Sequence, residues 1–264
     1  MTIATENDVI NARTNKRQGM NFQKASIANM VAGALCSMYR STGPIPSQPA
    51  IPSAAALCTK ALTWDFTNAT APDKTYIDVM DGVCSNAGRI VWFDRLFHIG
   101  GLSGTVTTAQ TVNSQSVLTL PVRGADPPEV EWFLEWYTDT GSTAVTATVA
   151  VTYTDATTAN LSVAMAATMR AGRLLPIIPG AGKIIASVQS VTLSATTGTA
   201  GSFGVTAGNR ISGTSLHIPV ANVAPPSREL ILREIPDNTC LWPVVECSTT
   251  SSGDIRGEFT LIQG

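Results

Sequence analysis

A nine-residue run near the middle of the chain alternates between apolar residues and residues that are mostly threonine. Its apolar members are Val145, Ala147, Val149, Val151 and Tyr153. A period of two is typical of a strand with one buried face, and the branched side chains of valine and threonine are less favourable in a helix. The run therefore predicts a half-buried β-strand with threonine on its outer face.

Similar short segments fill the chain from residue 130 onward and are separated by Gly, Pro, Asn and Asp turns. They are WFLEWYT, ANLSVAMAA, KIIASVQSVTLSAT, GSFGVTA, SGTSLHIPV, RELILREI, CLWPVVECST and DIRGEFTLIQ. Helical segments do not alternate with them, which argues against βαβ units. We predict a mainly β fold, with an antiparallel β-sandwich or jelly-roll body over 130–264. Residues 54–129 are predicted to be a mixed segment of strands and loops that packs on this body.

Hydroxyl side chains take many of the positions that charged residues usually hold. The chain has 34 Thr and 21 Ser, against 17 basic and 19 acidic residues. Residues 140–220 hold four basic residues and one acidic residue. The cores of subunit interfaces are depleted in Lys and Glu, so this composition favours a body that contacts neighbouring subunits. The net charge of −2 favours neither a nucleic-acid partner nor a membrane.

The N-terminal segment, residues 1–53, is predicted to be an extended arm with one amphipathic helix over about residues 21–40. Apolar residues recur there at spacings of three and four, which is typical of one helix face. That face is predicted to contact another subunit through Ile27, Met30, Val31, Leu35 and Met38. The segment lacks the apolar core of a signal peptide, so we expect no export.

A proline-rich segment, STGPIPSQPAIPS, follows the predicted helix at residues 41–53. Gly and Pro end helices, and closely spaced prolines favour a stiff, extended backbone. We therefore expect a tether that separates the helix from the body. The apolar face of such a helix must dock on the main domain or on another subunit.

Groups that could carry out catalysis are few. The two histidines, His98 and His217, lie within apolar segments and are interpreted as partly buried structural residues. Glu131 and Glu135 share one face of a predicted strand, opposite a face formed by tryptophans, and we expect both carboxylates to face solvent rather than a sugar. Trp92, Trp132 and Trp136 lie in apolar runs and are predicted core residues.

Two motifs resemble catalytic or nucleotide-binding signatures but depart from them. GGLSGT has Thr105 where a serine nucleophile elbow needs its last glycine. PGAGKI, at 179–184, has Ile177 where a phosphate loop needs its first glycine and Ile184 where it needs Ser or Thr. We expect no enzyme activity, no cofactor, no metal site and no small-molecule ligand.

The five cysteines form no CxxC pair. Since no export signal is recognised, we expect them to be reduced and structural. Cys240 and Cys247 remain a candidate disulfide pair if they lie on adjacent strands.

The sequence resembles virion structural proteins of tailed bacteriophages in three blocks. They are DRLFHIGGLSGTVTTAQTVNS (94–114), SVQSVTLSATTGTAGSFGVTAGNRI (187–211) and LILREIPDNTCLWPVVECSTTSSGDIRGEFTLIQG (230–264). The match is strongest at 94–114, and the blocks cover about a third of the chain. The resemblance implies a structural component of a virion that is assembled in the cytoplasm of a bacterial host.

Together these features lead us to expect a capsid decoration or cement protein. Its expected partners are the major capsid protein and copies of itself in a homo-oligomer such as a trimer, without nucleic acid or membrane. Two alternatives remain open: a neck or tail structural protein, and a receptor- or glycan-binding tail component. The latter predicts a cluster of exposed aromatic residues at one end of the sandwich.

Overall fold

A computed structural model describes residues 3–43, 46–119, 123, 127–198, 201–211, 216–218 and 227–264. Within them the chain has one α-helix, α1 (Glu6–Asn15), and short 3₁₀ turns at Met38–Arg40, Lys60–Leu62 and Pro127–Glu129. The strands are β1 (Arg17–Lys24), β2 (Leu35–Ser37), β3 (Ala56–Leu57), β4 (Thr75–Cys84), β5 (Gly88–Ser103), β6 (Gln110–Thr111), β7 (Val130–Trp136), β8 (Val145–Tyr153), β9 (Thr158–Met165), β10 (Arg173–Pro176), β11 (Ile185–Leu193), β12 (Ser202–Arg210), β13 (Leu216–Ile218), β14 (Ser227–Ile235), β15 (Leu241–Cys247) and β16 (Ile255–Gln263).

Six strands form a closed antiparallel barrel at the centre of the fold. They pair in the order β12-β7-β10-β2-β15-β5, and β5 pairs back with β12 to close the ring. Short strands β3 and β13 also pair with β5. Closure leaves these six strands without a free edge along the paired segments, which satisfies their backbone hydrogen bonds internally.

Two four-stranded antiparallel sheets flank the barrel. The terminal sheet has the order β1-β16-β4-β14, and the threonine sheet has the order β6-β11-β8-β9. One apolar core lies between the terminal sheet and the barrel, and includes Phe22, Trp92 and Phe259. A second lies between the threonine sheet and the barrel, and includes Trp136 and Val149. The barrel is therefore the middle layer of the molecule.

The interior of the barrel holds a third cluster of buried side chains. Its members are Tyr39, Val91, Phe93, Phe133, Leu174, Trp242 and Val244. The alternation of side chains along each strand explains how one strand serves two cores. In β7, Phe133 points into the barrel, whereas Trp132 and Trp136 point toward the threonine sheet.

The predicted mainly β, antiparallel fold with one α-helix is confirmed. The alternating run at 145–153 is strand β8, and its residues alternate between buried and more exposed positions as expected. Trp92, Trp132 and Trp136 are core residues, as predicted. Of the predicted strand SGTSLHIPV, only 216–218 belongs to the described residues, and these form β13.

The helix predicted over about residues 21–40 is wrong. Residues 17–24 form β1, which pairs with β16 along its whole length and buries every second residue from Met20 to Lys24. Asn29 and Gly33 then have positive φ angles of 58° and 79°, which interrupt any helix. The apolar residues recur at helical spacing because separate turns and strands each send one of them into a core.

The α-helix lies earlier in the chain, at Glu6–Asn15. It begins with a capping box, in which Thr5 accepts a hydrogen bond from the Asp8 backbone and the Asp8 carboxylate accepts one from the Thr5 backbone. Ala12 is its buried residue, so the helix has no broad apolar face. The capping signal, rather than apolar periodicity, marks this helix in the sequence.

The N-terminal segment does not form an arm that leaves the body. β1 is part of the terminal sheet, and β2 lies between β10 and β15 in the barrel. The proline-rich segment also contacts the body, since the Gly100 N–H donates to the Pro52 carbonyl at 2.8 Å. Residues 44 and 45 of this segment lie outside the described residues. The predicted tether is therefore wrong, because residues 1–53 supply one strand to the terminal sheet and one to the barrel.

Replacing Phe22 tests the assignment of β1 to the core. Phe22 is 2% exposed and packs edge-on against Trp92. We expect Phe22→Ala to lower the free energy of unfolding by about 3–5 kcal/mol, because it leaves a cavity. Gln23→Ala, at the exposed neighbouring position, should change it by less than about 0.5 kcal/mol. Equal effects of the two variants in urea unfolding would contradict this assignment.

Candidate functional site

The residues predicted to form a subunit contact do not form one surface. Met30 and Met38 are 3% and 0% exposed and belong to the core under the terminal sheet. Ile27 and Leu35 are half-buried and pack against two different cores. Val31 is exposed, at 51%. The predicted contact face is therefore wrong, since most of it is inside the molecule.

The catalytic candidates are engaged in structural contacts. His98 is buried, and its Nε2 atom is hydrogen-bonded to the Tyr137 hydroxyl. Lys183 of PGAGKI forms an ion pair with Asp155 at 2.5 Å. Ser103 of GGLSGT contacts the Thr105 hydroxyl at 3.0 Å. The His217 side chain lies outside the described residues.

The described residues include no cluster of His, Cys, Asp or Glu that could hold a metal ion. In the same part of the chain, the α-helix is too short and polar to be a membrane span. An apolar cleft of about 190 Å³ lies between β7 and the loop before β11, lined by Trp132, Pro176 and Ile178 among others. The charged groups beside it are paired, Glu131 with Arg210 and Lys183 with Asp155. This cleft offers no free charge to a polar substrate.

A buried ion cluster lies at one end of the barrel. Glu135 is completely buried and contacts two guanidinium groups, those of Arg95 and Arg40. Arg95 donates from Nη2 to Glu135 Oε2 and from Nε to the Thr206 hydroxyl, the latter at 2.8 Å. Arg40 Nε lies 3.4 Å from Glu135 Oε1. The Arg95 guanidinium also lies over the Trp242 ring, 5.1 Å from its centroid.

Burial and neighbouring charges together set the protonation states of this cluster. Burial disfavours the charged form of Arg95, but the Glu135 carboxylate and smaller contributions from other neighbouring groups together raise the pKa of Arg95. Burial lowers the pKa of Arg40. Burial, with Arg95 and Arg40 nearby, also holds the pKa of His98 far below its usual range, so His98 is neutral. The ion pairs of this cluster join β5 to β7 and connect both to the turn that carries Arg40.

The position of Glu135 corrects a prediction. Glu131 is partly exposed, but Glu135, on the same face of β7, points into the barrel. The sequence contains a signal for this, since Arg95 and Glu135 each lie within a run of large apolar residues. Their pairing joins residues 40 positions apart in the chain, and Arg40 is more distant still. Local pattern alone does not bring these three together.

Removing the Glu135 charge tests the importance of this cluster. We expect Glu135→Gln to lower the free energy of unfolding by about 3–5 kcal/mol, because two buried guanidinium groups lose their counter-ion. Glu131→Gln breaks a partly exposed ion pair on the same strand and should cost less than about 1 kcal/mol. Chemical denaturation of both variants measures the difference. A loss for Glu135→Gln as small as that for Glu131→Gln would contradict the structure.

The neutral state of His98 predicts a dependence of stability on pH. An unfolded histidine takes up a proton below about pH 6.5, whereas folded His98 does not. The folded state therefore loses stability as pH falls, by about 2 kcal/mol between about pH 7 and about pH 5. We expect His98→Gln to lose correspondingly less over this interval in urea unfolding. Other titrating groups are common to both chains, so identical losses would show that folded His98 takes up a proton over this interval as the unfolded residue does.

All five cysteines are free and buried. Cys240 directly precedes β15 and Cys247 is the last residue of that strand, so they are not on adjacent strands and the condition for pairing them is not met. Cys36 instead contacts Cys247, and Cys58 contacts Cys240. The thiols fill core positions, and burial raises the pKa of Cys240 and of Cys84.

The outer face of the threonine sheet is a regular array of small, uncharged side chains. Antiparallel pairing aligns β9, β8 and β11 so that residues on this face form rows across the sheet. The rows are Thr158–Thr152–Ser187, Asn160–Ala150–Ser190, Ser162–Thr148–Thr192 and Ala164–Thr146–Ser194. Gln189 lies at a bulge in β11 and donates to the Ser187 hydroxyl at 2.8 Å. The composition of the sequence indicated such a surface, but the order of the strands was needed to assemble it.

Comparison with family models finds no match, and comparison with curated proteins finds none. Among solved structures the chain is similar to one titled "Structure of infectious bursal disease virus Gx strain". The identity is 12%, the TM-score is 0.17, and the match covers 94% of this chain and 81% of that chain. At this TM-score the likeness supports no conclusion about function.

Proposed function

We propose that the protein is a structural component of a tailed-phage particle, which binds and stabilises the capsid shell through contacts between subunits. The observation that carries this proposal is the outer face of the threonine sheet. Its rows of Thr, Ser, Ala and Asn contain no charged residue. A surface of this kind costs less to desolvate than a charged one and allows close approach, as the charge-depleted cores of interfaces do.

The arrangement of charged groups supports the same proposal. The most deeply buried carboxylate, Glu135, and its two arginine partners are inside the barrel, while the threonine sheet has Lys183 and Asp155 paired at its border. Charges are thus kept away from the middle of this face. The proposal also rests on the resemblance of the three sequence blocks to virion structural proteins.

The proposed contact surface differs from the one expected from the sequence. The N-terminal helix and tether do not exist as predicted, so the threonine sheet replaces them as the surface that meets the major capsid protein and other copies of the chain. A glycan-binding role has less support, because the exposed large apolar side chains in the described ranges are all aliphatic. A place at the neck or tail of the particle fits the same surface, and the particle fraction that contains the protein distinguishes these positions.

Incorporation into particles tests the proposal. Thr148 lies in the middle of the face, and Thr148→Lys places a charge there that must be desolvated on contact. We expect the wild-type chain to co-purify with particles and Thr148→Lys to be depleted at least about tenfold, measured by mass spectrometry. Thr107→Lys, in an exposed loop, is the matched control and should be incorporated normally.

Absence of the wild-type chain from purified particles would overturn the proposed function. Normal incorporation of Thr148→Lys would show that another surface makes the contact. Circular dichroism of both lysine variants establishes that each is folded, so that loss of incorporation reports on the surface itself.

A further inference from the structure

The threonine sheet ends at β9, which has a neighbour on one side. In the strand order β6-β11-β8-β9, β8 pairs with β9 over its whole length, and no described strand pairs with its other side. At the hairpin end, the Tyr153 N–H donates to the Thr157 carbonyl. Since hydrogen-bonded pairs alternate along an antiparallel ladder, Ala159, Leu161 and Val163 bond to β8.

The other residues of β9 direct their backbone N–H and C=O groups away from β8. They are Thr158, Asn160, Ser162 and Ala164, and their side chains lie on the exposed outer face. Among the described residues, no backbone or side-chain group forms a hydrogen bond with these outward groups. A row of N–H and C=O groups of this kind is a template for another strand.

β9 also lacks the features that usually block such pairing. Natural edge strands carry lysine, other charges, proline or a bulge, or they are very short. The eight residues of β9, TANLSVAM, include no charged residue and no proline, and their pairing with β8 is regular. The other long edges differ, because β1 begins with Arg17 and ends with Lys24, and β14 contains two arginines and two glutamates.

We propose that β9 pairs antiparallel with β9 of a second copy of this chain, which joins two threonine sheets into one continuous sheet. The outward groups meet when Thr158 lies opposite the second copy's Ala164 and Asn160 lies opposite the second copy's Ser162. This register places a two-fold axis at Leu161 and forms about eight backbone hydrogen bonds.

Side chains on both faces of β9 fit a second copy as the occupant. On the core side, Leu161 and Ala159 are only partly buried and lie against the core under the threonine sheet. In the two-fold register Leu161 meets its own copy, and Ala159 meets the second copy's Val163, so the pairing buries apolar surface that one chain leaves open. On the outer face, small uncharged side chains oppose one another and no like charges meet. Because β9 has no charged side chain, a strand from a charged partner would form no ion pair with it.

This pairing adds a contact between copies to the proposed function, and its role in the particle rests on that proposed function. The pairing itself is tested on the purified chain. It joins copies in pairs, and such a two-fold contact extends the outer face of one threonine sheet into that of the next. The capsid-binding surface is then twice as wide as in one copy.

Charge variants of the edge test the pairing directly. In the proposed register, Asn160→Lys with Ser162→Lys places lysines opposite each other twice across the axis. Both positions are exposed, so the fold should be unaffected. We expect the wild-type chain to form dimers in sedimentation equilibrium, and the dissociation constant of the double-lysine chain to be at least about tenfold higher.

A chain with glutamate at the same two positions provides the complementary test. It should also dimerise poorly alone, whereas a mixture of the lysine and glutamate chains should restore a one-to-one dimer that weakens with salt. The matched control is Thr107→Lys with Thr108→Lys, the same two charges in an exposed loop away from β9 and the outer face, which should change the dissociation constant by less than about threefold. In hydrogen exchange, the amides of Thr158, Asn160, Ser162 and Ala164 should become protected as concentration rises.

A wild-type chain that remains monomeric at high concentration would overturn the inference. This holds also if β9 then proves to pair with a strand of another protein. A dimer that the double-lysine change leaves intact, or that does not protect the β9 amides, would overturn it as well. The two proposals fail separately. A chain that dimerises through β9 but is absent from particles contradicts the proposed function, and a monomeric chain that enters particles contradicts only the pairing.

Discussion

Pairing of β5 with β12 closes the central barrel, and the rest of the structure is built on the outside of that barrel. β5 is sixteen residues long and takes part in all three cores. Trp92 faces the terminal sheet, Phe93 faces the barrel interior, and Ile99 faces the threonine sheet. This explains why almost the whole strand is buried. The sequence of a strand that is buried on both faces is a nearly continuous apolar run, whereas the sequence of a half-buried strand alternates between apolar and polar residues.

Closure at this seam requires close contact between backbones. A side chain at Gly204 of β12 would place its Cβ 2.0 Å from the Ile99 carbonyl oxygen of β5. Gly208, further along β12, faces the Trp242 ring, which would lie 3.3 Å from an added Cβ. Glycine is needed at Gly204 because the neighbouring backbone leaves no room for a side chain, and at Gly208 it relieves a tight approach to the Trp242 ring.

Polar groups are placed unusually in the barrel and in the threonine sheet. Charged groups occupy the barrel interior, where Arg40, Arg95 and Glu135 offset one another, while uncharged hydroxyls cover the outer face of the threonine sheet. Buried charges of this kind are tolerated only when they are paired and hydrogen-bonded. An outer surface without charges, in turn, is of use to a chain that covers it with a neighbour.

The sequence predicted features that depend on neighbouring residues and missed those that depend on distant ones. The two faces of β7 and the alternation of β8 follow from a period of two, and both were predictable. The helix predicted over 21–40 was wrong because Met30 reaches the core from a loop and Met38 from a 3₁₀ turn. The helical spacing of these residues in the sequence does not reflect a helix. The burial of Glu135 and the position of β9 at a sheet edge follow from strand order, which a single sequence does not reveal.

The pairing of β1 with β16 has a consequence for biosynthesis. β1 is translated well before β16, and its backbone partners in the terminal sheet are residues 255–262. β2 likewise pairs with a strand that is translated much later, β15. Two of the three β layers therefore cannot be completed until nearly the entire described chain has been translated. Such non-local pairing slows folding and leaves apolar strand faces open in the nascent chain, where chaperones bind.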